Sequence, residues 1–288
     1  PQSGSCRSTS ATTSRCCEGD RHPARGPSMT VWEAAVLGFV QGATEFLPVS
    51  SSGHLVMAQS VLGTATEGVL FEVAVHVATL LSILIVYRAR IVNLTEGVLK
   101  RDHEALTYVG LLLVATVPIV VVGGLARNSV ETLFDNPWVS GIGLLVTGAV
   151  LWSSRRGIAR AARERPALTA AVLIGLAQVC ALVPGVSRSG TTVVVALWLG
   201  VYAEEAAAFS FLMAIPAITG AAVLQIGDLG SASALGVMPL LVGSAVAAAT
   251  GVLAIRTFVA MLDKRSFYLF APYCWLVGGA FLSYLWMR

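Results

Sequence analysis

The sequence predicts an all-α integral membrane protein with six transmembrane helices and two re-entrant helical hairpins, arranged as an inverted repeat. Three observations carry that prediction. The 288 residues are 56% hydrophobic and 12% charged, with a mean hydropathy of +0.77, whereas soluble domains carry about 25% charged residues. Several apolar stretches reach the roughly 20 residues that a helix needs to cross a bilayer. A polar pentapeptide, Val49-Ser50-Ser51-Ser52-Gly53, recurs 137 positions later as Val186-Ser187-Arg188-Ser189-Gly190. The same offset pairs Gly38 with Gly175, Gln41 with Gln178, Val56 with Val193 and Leu62-Gly63 with Leu199-Gly200. Nine identities fall in 26 gapless columns, so the two segments read as copies of one unit.

Residues 1–28 are rich in Ser, Thr, Arg, Gly and Pro and have no apolar run. They lack the apolar centre of a secretory signal. They are expected to be a disordered or non-native tail, with Met29 as the natural start. Residues 29–288 then form a single membrane domain, with repeat halves of about 30–155 and 166–288. The first hairpin, about 31–62, has two short apolar arms around Pro48 and the serine run. Crossings follow at Val69–Tyr87, Leu106–Leu125 and Trp138–Trp152. The second hairpin, about 168–200, is interrupted by Pro184-Gly185 and the second polar loop. Ala208–Ile226, Val237–Ile255 and Phe267–Met287 complete the set. Broken backbone at membrane depth has to be buried in protein or line a wet cavity, hence the re-entrant reading.

Charge tests this topology. An odd number of crossings between the hairpins gives the two repeats opposite orientations. Loops on the first hairpin's side carry Arg127 and Arg288. The other side carries Arg88, Arg90, Lys100, Arg101, Arg155, Arg156, Arg160, Arg163, Arg165, Arg256, Lys264 and Arg265. Lys and Arg mark the cytoplasmic side, so the first hairpin is expected to enter from outside and the second from the cytoplasm. The tail arginines Arg7, Arg15, Arg21 and Arg25 oppose this, a further reason to set the tail aside.

Inverted repeats with broken helices bring their loops together near the midplane and build a site there. Gln41 and Glu45, four apart, share a helix face. A carboxylate in hydrocarbon marks function by default, though a helix-end Glu also snorkels. Ser50, Ser51 and Ser52 offer a nucleophile, metal-facing oxygens or phosphate donors, and at least one is expected only to cap a helix. His54 reads as an acid, base or nucleophile, or as a satisfied structural imidazole. Arg188 is the sharpest residue. Its fork of donors matches phosphate, and its alternative is an ion pair with Glu45 or Glu72. Ser187, Ser189, Gly190 and Thr191 flank it, as Ser50, Ser52 and Gly53 flank Ser51, and these seven are the expected phosphate-binding positions. Glu72 and His76 form a second pair four apart. Glu204 and Glu205 read as interface residues, and Cys180 and Cys274 as small packing residues. Walker-type loops, His-Glu-x-x-His and paired Cys sites are absent from the sequence, which leaves ATP-driven transport and zincin chemistry unsupported. A nucleic-acid partner is not expected.

The stretch from Gln41 to His54 resembles the first motif of the bacterial undecaprenyl-diphosphatase family, the bacitracin-resistance type. Pro184 to Thr192 resembles the second motif, and Phe71 to His76 the segment between. The resemblance spans about residues 30–288 and implies hydrolysis of undecaprenyl diphosphate to undecaprenyl phosphate and inorganic phosphate. That reaction recycles the lipid carrier for peptidoglycan synthesis. It implies a divalent cation, Mg2+ or Ca2+, and a plasma-membrane enzyme open to the outer face. Carried over by position, Glu45 is an acid/base or metal residue, Ser51 the nucleophile or phosphate contact, His54 its rival, and Arg188 the phosphate clamp. Gln41 stands where many members have Glu, so Gln41 and Glu72 are secondary metal candidates. Membrane lipids are the expected surroundings, and homodimerisation is left open. The alternative is a transporter or flippase for a polyprenyl phosphate lipid, because inverted repeats are a transporter architecture.

Overall fold

The computed structural model describes residues 29–62, 69–158, 163–225 and 236–288. Residues 1–28, the expected tail, lie outside them. The described residues build twelve α-helices: α1 (Val31–Phe46), α2 (Ser51–Leu62), α3 (Val69–Val86), α4 (Arg88–Leu99), α5 (His103–Leu125), α6 (Arg127–Phe134), α7 (Pro137–Ile158), α8 (Leu168–Cys180), α9 (Arg188–Trp198), α10 (Ala203–Gln225), α11 (Val237–Asp263) and α12 (Phe270–Met287). A 3-10 turn, Phe267–Leu269, leads into α12, and a single isolated bridge joins Arg163 to Val201. Among the described residues five helices are long and apolar enough to cross a bilayer, or six when the bent pair α3–α4 counts as one span. The protein is an all-α integral membrane protein.

Each helix has a local cause. Thr30 opens α1 through a reciprocal capping box with Glu33, and Asp102 caps α5 by accepting from the Ala105 amide. Two features escape a reading by hydropathy. At Tyr87 the chain turns by 80° into α4, a helix with no buried residue that carries Arg88 and Arg90. After α5 comes α6, also without buried residues. Amphipathic surface helices of this kind lie along a membrane interface. The last spans also outrun their apolar cores, since α7 continues to Ile158 and α11 to Asp263.

The two halves are packed crosswise. Helix α1 packs on α11, and α8, its repeat partner, packs on α5; α3 joins α11 as α10 joins α5. Small residues make these crossings close. A Cβ on Gly38 or Gly42 would strike the Gly243 or Ala247 carbonyl of α11, and one on Gly175 would strike the Ala115 carbonyl of α5. Gly38 and Gly175 are equivalent in the repeat, so one glycine serves the same purpose twice. An aromatic column ties the centre together: Phe46 meets Phe211 at 5.6 Å, Phe211 meets Phe258 at 5.0 Å, and Phe258 meets Phe267 at 5.0 Å. Outward residues such as Leu113, Val117 and Val120 on α5 are more than half exposed, as lipid-facing side chains should be.

Candidate active site

The breaks between α1 and α2 and between α8 and α9 meet each other. A Cβ on Gly53 would lie 2.9 Å from the Gly185 Cα, and one on Gly190 would lie 3.1 Å from the Pro48 Cβ. Under the 137-residue offset Gly53 corresponds to Gly190, and Pro48 to Gly185. The contact is therefore reciprocal, each loop's glycine resting on the other loop's turn. The turns use left-handed backbone at Ser50 (φ 66°) and Gly185 (φ 90°). Such a conformation is unfavourable for a residue with a side chain and collects at functional sites.

The serines divide their work in the same way in both loops. Ser50 Oγ accepts from the Gly53 amide at 3.3 Å, and Ser187 Oγ accepts from the Gly190 amide at 3.1 Å. These are helix caps. Ser52 and Ser189 each lie 3.3 Å from the capping hydroxyl of their loop. The remaining central position differs, being Ser51 in one loop and Arg188 in the other, and both side chains turn to Glu45.

Glu45 is the hub. Ser51 Oγ donates to its Oε2 at 2.7 Å, Gln41 Nε2 donates to the same oxygen at 3.0 Å, and Arg188 Nη2 donates to Oε1 at 2.6 Å. The Glu45 side chain is 8% exposed and that of Arg188 14%. Burying this pair is tolerable only because both charges are matched and hydrogen-bonded. His76 approaches as well, its Nε2 lying 3.9 Å from Glu45 Oε2. The expected side-chain pairing of Glu72 with His76 is replaced by a bond from His76 Nδ1 to the Glu72 carbonyl at 2.8 Å, a local helical contact. The alternative partners for Arg188 are thereby resolved in favour of Glu45.

Several buried polar atoms around this hub are left without a partner: Gln41 Oε1, Arg188 Nη1 and Thr191 Oγ1. Arg188 and Thr191 are three apart on α9 and share a face. Unsatisfied buried polar groups, here an acceptor on Gln41 and donors on Arg188 and Thr191, are rare and call for a ligand or water. Thr192 is spent on structure, donating to the Arg188 carbonyl and bonding to Ser210.

Sequence reasoning missed the helices that hold the loops. From α7, Thr147 Oγ1 donates to the Gly185 carbonyl at 2.8 Å and accepts from the Ser187 amide at 3.0 Å. From α12, buried Cys274 donates to the Pro48 carbonyl at 3.8 Å, and Tyr273 meets His54. Gly143 and Thr147 are thus occupied within the chain, Gly143 lying against the Pro184 carbonyl. Nothing local in sequence marks these partners, although a Thr or Tyr amid apolar helix is a weak signal. Cys180, by contrast, is exposed rather than packed. Glu205 is no idle interface residue either. It is buried and pairs with Arg90 at 2.7 Å.

The profile of the family described as Bacitracin resistance protein BacA matches residues 34–280. This chain belongs to the BacA family. It is 38% identical over 268 residues to a protein of Desulfatibacillum aliphaticivorans named undecaprenyl-diphosphatase, covering 87% of this chain and 97% of the relative. Proteins of the same name from Methanobrevibacter smithii and Alcanivorax borkumensis are 37% and 39% identical, covering 87% and 89% of this chain and 96% and 100% of theirs. The match spans both loops, with Glu45, Ser51 and Arg188.

Proposed function

We propose that this protein hydrolyses undecaprenyl diphosphate to undecaprenyl phosphate and inorganic phosphate, with Glu45, Ser51 and Arg188 as its working centre. The observation that carries the reading is the Ser51 hydroxyl donating to Glu45 at 2.7 Å while Arg188 holds the opposite oxygen. A hydroxyl on a buried carboxylate is the arrangement of an activated nucleophile. The unpartnered Arg188 Nη1 and Thr191 Oγ1 supply donors for phosphoryl oxygens, where charge grows during displacement.

In the first step the Ser51 oxygen attacks the terminal phosphorus and its proton passes to Glu45. The bond from that phosphorus to the bridging oxygen breaks, and undecaprenyl phosphate leaves with the electron pair. Water then attacks the phosphoserine, the Ser51 O–P bond breaks as the Glu45 proton returns to the Ser51 oxygen, and both water protons leave on the inorganic phosphate as H2PO4−. His54 is less suited to attack, because both ring nitrogens are engaged, Nδ1 with the Ser50 carbonyl and Nε2 with Tyr273, each at 2.8 Å. Ser50 and Ser187 serve the loops as caps, and Ser52, Gly53, Ser189 and Gly190 shape the phosphate pocket.

The donor set fits a hard divalent cation such as Mg2+ or Ca2+, which prefers oxygen ligands. Gln41 Oε1 is unpartnered and buried beside Glu45, and its amide nitrogen is already committed to that carboxylate. Among the described residues no group of three His, Cys, Asp or Glu side chains gathers, so substrate oxygens and hydroxyls would complete the shell. The chemistry supplied there is neutralisation of charge on the diphosphate. An apolar groove of about 420 Å³ runs past Ile142, Val146, Val183 and Val186 to the edge of the Arg188 loop, a suitable bed for the first isoprene units. The excess of Lys and Arg on the opposite side favours a first loop facing outward, which supports a site open to the outer face of the plasma membrane.

The test is phosphate release from undecaprenyl diphosphate by detergent-purified protein, with and without chelator. Release should need a divalent cation. It should fall at least about a hundredfold in Ser51→Ala, and brief quenching of wild type should trap phosphate on a Ser51 peptide. Release that persists in a folded Ser51→Ala protein would transfer the attack to water or His54. The crosswise halves also favour lipid movement, so a vesicle assay with labelled polyprenyl phosphate belongs beside it.

A further inference from the structure

We propose that Tyr273 is a positioning residue for this site, acting through His54, an inference that rests on the diphosphatase reading above. His54 Nδ1 lies 2.8 Å from the Ser50 carbonyl oxygen, which can only accept. In the neutral ring Nδ1 therefore carries the proton and Nε2 bears the lone pair. Nε2 lies 2.8 Å from the Tyr273 hydroxyl, which then donates to it. The two rings lie nearly parallel, 3° apart, with centroids at 5.8 Å. A continuous chain results: Tyr273 O–H to Nε2, and Nδ1–H to Ser50 C=O.

The end of that chain matters. Ser50 holds φ at 66°, a strained value for a serine, and the next residue is Ser51 on Glu45. Its carbonyl also accepts from the His54 amide at 3.2 Å, so one carbonyl fixes the turn and the ring together. Cys274, adjacent to Tyr273, reaches the Pro48 carbonyl on the other side of the same turn. Helix α12 thus grips the first loop at both ends of its bend. The opposite loop receives the matching grip from Thr147 of α7. The imidazole is a brace between α12 and the nucleophile's turn: the Ser50 carbonyl fixes its tautomer, and the Tyr273 hydroxyl, donating to Nε2, holds its plane. Tyr273 is 43% exposed, so its hydroxyl is not required to fill the core.

Tyr273→Phe keeps the ring and removes only the donor. The expected result is a kcat lowered about tenfold, the scale of one lost hydrogen bond, with KM changed less than about twofold. The decisive readout is nitrogen NMR of 15N-histidine-labelled protein, with His54 assigned by its loss in His54→Asn. Wild type should show His54 protonated at Nδ1 with a hydrogen-bonded Nε2, and Tyr273→Phe should keep that proton while the Nε2 resonance moves downfield, as for a lone pair that has lost its donor. The cost of Tyr273→Phe should also disappear in the His54→Asn background, as coupled residues require. A wild-type His54 protonated at Nε2, or a Tyr273→Phe protein with an unchanged Nε2 resonance and kcat, would overturn the proposal. The expected tautomer in a protein that releases no phosphate would support the brace and sink the diphosphatase reading instead.

Discussion

At the residue scale the site depends on one carboxylate serving three donors. Removing Arg188 does two separable things. It takes away the donors meant for phosphate, and it leaves Glu45 buried with an unmatched charge. Arg188→Ala is expected to lose about 3–5 kcal/mol of stability, the usual cost of orphaning a buried charge, read as a lower melting temperature in detergent. Arg188→Lys keeps the charge. It loses the fork that lets one nitrogen hold Glu45 while the other faces substrate. That variant should stay folded and lose at least about a hundredfold in kcat/KM, the scale of a missing donor to developing charge. Full activity in the lysine variant would show that Arg188 is a structural counterion only.

At the element scale, helix crossings and turns set the positions of these side chains. Gly38 and Gly42 let α1 sit directly on α11, and α1 delivers Gln41 and Glu45. Gly38→Leu should force the helices apart, lowering both thermal stability and turnover, while a leucine at exposed Phe39 should be silent. Gly185 is more restrictive, because φ is 90° and a Cβ would meet the Ser140 carbonyl of α7. Gly185→Ala is expected to cost at least about 1–3 kcal/mol from backbone strain alone. If it melts like wild type, the second loop is not held in the described turn.

At the scale of the whole molecule, the crosswise exchange of helices means that neither half can bury its own hairpin. Each loop is held by the other half, Pro48 by Cys274 and Gly185 by Thr147. The charged ends predict an orientation that can be tested. Arg155 stacks on Trp152 and Tyr268 at 4.6 and 4.7 Å, an aromatic and basic girdle of the kind found at a membrane interface. Single cysteines placed in a background lacking the native ones should report the sidedness. A membrane-impermeant thiol reagent should label Asn136→Cys on intact cells and spare Lys100→Cys until the membrane is opened. The reverse pattern would invert the topology and move the site to the cytoplasmic face.

Much of this was legible in the sequence because it depends on patterns local in the chain. Apolar length locates spans, Pro and Gly mark the breaks, and the 137-residue offset exposes the two loops. Gln41 with Glu45 and the Ser51–Arg188 equivalence follow from spacing alone. The bend at Tyr87 and the surface helices α4 and α6 were not legible, since amphipathic segments carry too little hydropathy to register. Tyr273, Cys274 and Thr147 lie far along the chain from what they touch. Burial of Glu205 against Arg90 joins α10 to α4 across 115 positions. Patterns local in the chain reveal a membrane protein with two related halves, each with a Ser/Gly loop and together carrying one carboxylate and one guanidinium. Packing between distant helices fixes that Glu45 takes Arg188 rather than leaving it to Glu72, that Ser50 caps while Ser51 faces the carboxylate, and that His54 is held by Tyr273. Those choices turn on angstrom-scale packing between helices distant in sequence, and no local pattern encodes that.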